Sequence, residues 1–136
     1  MLRKQLFKNP FNIDMMNIEK VNVAEKLTSF KEYWSPKIVG ELNQQLVKVA
    51  KFKGDFVMHQ HENEDELFFV ITGTLYIELE NKTLELQAGE FALIPKGVLH
   101  KPYAPEEVHV MLFEPAATLN TGNLINDRTV TDIDRI

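Results

Sequence analysis

Apolar positions change their period near residue 37, and that change divides the chain. Before it, Val23, Leu27, Phe30 and Trp34 recur at helical spacing and place one apolar stripe on one face. Asn22 with Glu25 three positions on reads as a capping box, and Ser35-Pro36 supplies a stop, so a short helix lying against the remaining fold is expected. The Phe30 and Trp34 positions read as core packing rather than as a ligand box. After the change, short β-rich runs follow one another: Ile38–Leu42, Gln45–Phe52, Phe56–His61, Leu67–Ile71, Thr74–Glu80, Thr83–Leu86, Glu90–Ile94 and Val108–Phe113. Turn signals fall between them at 53–55, 62–65, 72–73, 80–82, 88–89 and 105–107. Leu75, Ile77 and Leu79 alternate with Tyr76, Glu78 and Glu80, so that run has one buried and one wetter face. No helix of crossover length intervenes, which argues against a parallel sheet and for an all-β sandwich or barrel.

The ends depart from this pattern. Residues 1–15 form an N-terminal extension with two open readings, an optional leader or upstream start and an ordered arm packed on a neighbouring subunit. Residues 16–114 carry the leading helix and the barrel, with the strand-rich part from 37 onward. Residues 115–136 are polar, with one weak helical turn conceivable at Val130, Ile133 and Ile136, and read as a mobile or partner-packed tail.

Composition narrows the classes. A chain of 136 residues is one domain with a real core, and 44% hydrophobic with 26% charged residues is globular composition. The absence of cysteine excludes disulfides and thiolate metal sites. A net charge of −5 argues against nucleic acid as a partner. No run approaches the roughly 18–20 apolar residues of a membrane span, and Asn9-Pro10 interrupts any secretory segment, so a cytoplasmic location is the default.

The candidate chemistry lies in His59, His61, Glu66 and His100. Two residues apart on a strand share a face, so His59 and His61 project side by side while Gln60 points away. The turn Glu62–Asp65 lets the next strand return and bring Glu66 opposite the pair; Glu62, Glu64 and Asp65 themselves read as solvated turn residues. Gly73 permits a sharp turn, and Pro95 and Gly97 shape the loop that delivers His100. Three imidazoles and one carboxylate, without sulfur, suit a divalent Fe, Mn, Ni, Co or Zn ion and leave positions open for a ligand. His109, between Val108 and Val110, reads as structural.

These two segments resemble the paired motifs of the cupin superfamily. His59-x-His61-x4-Glu66-x6-Gly73 follows the first motif, with Gly54 one residue closer to His59 than the family pattern has it. Gly89, Pro95, Gly97 and His100 follow the second, where Ala104 replaces the family's asparagine. The resemblance implies a double-stranded β-helix, or jelly-roll barrel, with a short N-terminal helix and a metal held by His59, His61, Glu66 and His100. It does not imply one reaction; the leading reading is a metal-dependent enzyme of dioxygenase or isomerase type acting on a small oxygenated organic substrate, and the alternative is a non-catalytic small-molecule-binding module with a structural or residual metal. A homodimer is the expected assembly, and Phe68, Tyr76 or Tyr103 are expected to line the barrel mouth. No residue outside the quartet stands out as a general base.

Overall fold

The computed structural model describes residues 18–136. The expected extension over residues 1–15 lies outside them. Among the described residues one short helix, α1 (Val23–Thr28), precedes seven strands: β1 (Lys37–Leu42), β2 (Gln45–Asp55), β3 (Glu66–Thr72), β4 (Leu75–Glu78), β5 (Thr83–Leu86), β6 (Phe91–Ile94) and β7 (Lys101–Pro115). All pairings among them are antiparallel, in the order β1-β2-β7-β3-β6, with β4 joined to β7 and to β5. The sheet rolls around a single interior and forms the barrel. Among the described residues no helix is long and apolar enough to cross a membrane.

The 15-residue β7 organises the sheet. Its second half pairs with β2 on one side and β3 on the other, and its first half pairs with β4. Alternation then sets the inward face: Ala50 and Phe52 from β2, Phe68 and Val70 from β3, Leu75 and Ile77 from β4, and Val108, Val110 and Leu112 from β7 share one core. The stretch 105–107, expected to be a turn between strands, instead continues β7 as an exposed irregularity. Gly73 at φ +89 sits against it, and a Cβ there would stand 2.9 Å from the Glu107 carbonyl oxygen. Only glycine meets both the left-handed backbone and that close approach.

Three expectations change. The helix stops at Thr28 rather than near Trp34, because the Thr28 and Ser29 hydroxyls donate to the Glu25 and Lys26 carbonyls and close the last turn. Leu27 and Phe30 still pack on Val49 of the sheet's outer face, as apolar spacing required. The run Phe56–His61 is no regular strand; His59 alone makes an isolated antiparallel bridge to His100. The residues after β7 form no helical turn and pack on their own chain, with Ile38 donating to Asp134 and Ile136 to Ile38.

Candidate metal centre

His59, His61, Glu66 and His100 converge in the barrel interior, their ligand atoms all within 4.8 Å of one another. Each arrives by a different device. Glu66 is the first residue of β3 and faces inward opposite Ile94. His59 and His100 exchange backbone hydrogen bonds, His59 N to His100 O at 2.9 Å and His100 N to His59 O at 2.8 Å. The His61 carbonyl accepts from Gly97 N at 2.8 Å, and Asp65 accepts from Lys96 N at 2.9 Å, so the first motif's turn is bound to the Pro95–Gly97 turn of the second. That linkage explains why Pro95 and Gly97 accompany the ligands in sequence. Asp65 serves this turn, and neither it nor Glu62 nor Glu64 belongs to the quartet.

All four side chains are buried. Nδ1 of His59 lies 2.9 Å from the Val57 carbonyl and Nδ1 of His100 lies 2.9 Å from the Val98 carbonyl. A carbonyl only accepts, so in each ring Nδ1 carries the proton and Nε2 keeps a free lone pair. Nε2 of His100 and of His61 each lie 3.3 Å from Glu66 Oε1. The His61 contact lacks hydrogen-bond alignment, and both His61 ring nitrogens are buried without a partner. An orphaned buried polar atom costs about 1–3 kcal/mol, so His61 is poorly explained as a structural residue. Two imidazoles with fixed tautomers, a third with orphaned nitrogens and one carboxylate fit a divalent metal ion.

Burial, reinforced by the neighbouring His100, pushes His59 down to about 4, so it stays neutral at ordinary pH. Burial alone would raise Glu66, yet the polar groups beside it, Glu114 first and then the His100 and His61 rings, outweigh it and hold the carboxyl well below the usual carboxylate range. Glu114 moves the other way: burial first, then the Glu66 charge, push it well above that range despite Lys48 beside it. The two carboxyls are thus shifted in opposite directions.

Lys48 and Glu114 are the residues that motif reasoning missed. Lys48 Nζ donates to Glu114 Oε1 at 2.8 Å, and the two side chains are 1% and 2% exposed. Glu114 Oε2 has no protein donor. Strand parity carried the signal, since Lys48 alternates with Leu46 and Ala50, and Glu114 with Leu112 and Val110, on the buried face. His109 lies on the outer face of β7 and pairs with Glu107 at 2.7 Å, away from the quartet. Tyr76 and Tyr103 stack on one another at 5.1 Å on that outer face, because Leu75, Ile77, Pro102 and Ala104 take the inward positions; they line no mouth.

Phe68 does face the site, its ring edge-on to His100. It lines a narrow cavity of about 30 Å³ with Trp34, Phe52, Phe56, His59, Glu66 and Glu114. Trp34 adopts φ 58, held there by its N donating to Lys51 O and Nε1 to Lys53 O, both at 2.9 Å. Its ring stacks on Phe52 and Phe56, so the aromatic position read as core is also a wall of the cavity.

Comparison with known proteins agrees with this architecture. Residues 45–114 match the family Cupin_2, the cupin domain. The chain is 41% identical over 64 residues to Uncharacterized protein YdbB of Bacillus subtilis (strain 168), a match covering 46% of this chain and 57% of that protein, little more than half its length. A cupin-2 domain containing protein from Shewanella frigidimarina is 44% identical, with a TM-score of 0.69 over 70% of this chain and 93% of the other. Protein NMB1881 from Neisseria meningitidis is 28% identical, with a TM-score of 0.65 over 71% and 99%. With its barrel, its paired motifs and a family match over most of the strands, the chain belongs to the cupin family.

Proposed function

We propose that this protein is a metal-dependent enzyme acting on a small oxygenated organic substrate, by oxygenation or by isomerisation. The observation that carries this reading is the buried quartet, with its fixed tautomers and the unpartnered ring of His61. His59, His61, Glu66 and His100 would hold the ion. Once bound, a divalent Fe, Mn, Ni, Co or Zn ion supplies Lewis acidity, and in the case of iron the capacity to activate dioxygen.

The chain's own residues support turnover rather than passive binding. Glu114 lines the same cavity as Glu66, and its carboxyl is pushed above the usual range while that of Glu66 is held below it, which suits Glu114 to hold a proton beside the quartet. Lys48 fixes the position of that carboxyl through Oε1. Trp34, Phe52, Phe56 and Phe68 exclude water from the inner side of the quartet.

The test is metal analysis of protein purified without added metal, followed by oxygen-uptake and isomerase assays on reconstituted samples. One ion per chain that disappears in His59→Ala and His100→Ala supports the assignment, and occupancy unchanged in those variants sinks it. The narrowness of the inner cavity, about 30 Å³, favours a second reading, a non-catalytic binding module with a structural metal. Bound metal with neither oxygen uptake nor isomerase activity, but with a ligand-induced rise in melting temperature, would favour that module. A homodimer belongs to the proposal as well, supported by Phe91 and Leu93, which stand 57% and 62% exposed on the edge strand β6. Sedimentation as a monomer would refute it.

A further inference from the structure

The segment that follows β7 lies beyond the residues matched to the family, yet it reaches the quartet. The His59-Gln60-His61 stretch is not a regular strand, so its course depends on individual ties. His59 is bound to the backbone of His100, and the His61 carbonyl to Gly97. Between them, Gln60 exchanges two hydrogen bonds with one residue of the later segment: Asn123 N donates to Gln60 O at 2.9 Å, and Gln60 N donates to Asn123 Oδ1 at 3.0 Å. Each residue of the stretch therefore has its own anchor, and the middle one comes from outside the two motifs.

Gly122 brings that anchor close. At φ +58 a Cβ on this residue would run into the Gln60 carbonyl oxygen and come within 3.0 Å of His59 Cδ2. The segment is itself held in shape. The fully buried Thr121 donates to Leu124 O and meets the Thr129 hydroxyl, while Asn120 bridges Arg128 O and Val130 N. It is a built piece of structure laid against the ligands.

The same segment walls a second, outer cavity of about 350 Å³. Ala117, Leu119, Gly122 and Asn123 form one side, and His61, Glu62, Asn63 and Glu64 form the other. His61, the buried side chain with both ring nitrogens unpartnered, is among these lining residues, so the cavity borders the quartet. Among the described residues the lining holds two carboxylates and two amides and no lysine or arginine. Such a wall repels anions and accepts hydrogen bonds from neutral or cationic groups.

We propose that the segment from Ala116 to Leu124 is part of the working site. Through Gly122 and Asn123 it fixes the line of His59 and His61, and it walls an outer chamber that passes neutral or cationic ligands to the quartet in preference to anions. This inference rests on the metal reading above. Asn123 acts as a positioning residue, since it touches only the backbone between two ligands.

The experiment uses the full chain loaded with Co(II), whose visible bands report coordination directly. Wild type should show bands that vanish in His61→Ala; their absence, or their survival in that variant, overturns the metal reading and this inference with it. Given that result, Asn123→Ala should keep the melting temperature of the metal-free protein, bind Co(II) about tenfold more weakly and shift the bands, as loss of a ligand-orienting contact does. Asn123→Asp keeps the Oδ acceptor for Gln60 N and should restore most of the affinity. Wild-type affinity in Asn123→Ala, or equal losses in the Ala and Asp variants, would overturn the positioning role. Imidazole and azide, added at pH 8 to the Co(II) protein, then probe the chamber. Azide should need the higher concentration to shift the bands, and Glu62→Gln/Glu64→Gln should narrow that gap by about threefold, the scale of exposed charge effects. A gap that is absent, or that the double variant leaves unchanged, overturns the selectivity.

Discussion

Replacing His61 by leucine should have opposite effects on the metal-free and metal-loaded protein. The His61 side chain is 2% exposed, and its two ring nitrogens lack partners. A neutral imidazole carries one donor and one acceptor, and leaving both unsatisfied costs about 2–6 kcal/mol, at about 1–3 each. Against this stands the poorly aligned 3.3 Å contact with Glu66, which forfeits about 1–2 kcal/mol when the ring is removed, while Glu66 keeps His100. Leucine fills a similar volume with no polar atom, so the metal-free variant should be more stable than wild type by about 1–4 kcal/mol. With metal the order reverses. An ion at a thousand times its dissociation constant adds about 4 kcal/mol to the protein that binds it and little to one that has lost a ligand. Urea unfolding followed by tryptophan fluorescence, once in excess chelator and once with saturating Co(II), measures both differences. Destabilisation of the chelated variant by more than about 1 kcal/mol would show that His61 holds the fold and would refute the reasoning from its orphaned nitrogens.

Other outcomes follow from the same geometry. Gly73→Ala and Gly54→Ala both place alanine at positive φ, +89 and +82, but only Gly73 has backbone within 4 Å of the added Cβ. Gly54→Ala should cost about 1–2 kcal/mol and Gly73→Ala about 1–3 kcal/mol more; equal losses in urea unfolding would exclude the close approach to Glu107. His59 titrates near 4 in the folded protein against 6.5 when exposed, so the unfolded chain takes up its proton first. The stability from neutral His59 is present in full above pH 6.5 and fades as pH falls toward 4. The advantage of chelated wild type over His59→Asn should therefore shrink by about 3 kcal/mol across that window, and a constant difference would contradict the buried, neutral ring. Lys48→Met removes the donor to a carboxyl 2% exposed and should destabilise the chelated protein by about 1–3 kcal/mol, with Lys48→Met/Glu114→Leu recovering most of that; equal stability of the single variant and wild type would deny the pair.

The barrel and the quartet were legible for different reasons. The run Thr83–Leu86 alternates and the structure keeps it as β5, while the apolar-rich run Gln45–Phe52 is kept within β2. The quartet was legible because histidine pairs at strand spacing are rare in a chain with four histidines. Trp34 misled because helical periodicity cannot register a hydroxyl-capped end followed by a left-handed residue. Glu114 and Lys48 were visible only through parity, which needs the register of β2 against β7. The packing of residues after Pro115 could not be read at all, because their ties run to single backbone groups such as Gln60 and Ile38, and no apolar period records such contacts.

The reciprocal bonds between His59 and His100 carry one consequence further. Two of the proposed ligands, distant in sequence, share a bridge made of main-chain hydrogen bonds alone, which calls on no ion. Chain ordering at this point belongs to folding, and metal affinity is spared that entropic loss. Stripping the ion should accordingly leave the far-ultraviolet dichroism intact, and rebinding should be a single bimolecular step without a refolding phase. The hairpin between the motifs gains freedom from the same arrangement. Changes in the length of the β4–β5 turn should be absorbed outside the bridge, leaving the distance between the two imidazoles unchanged.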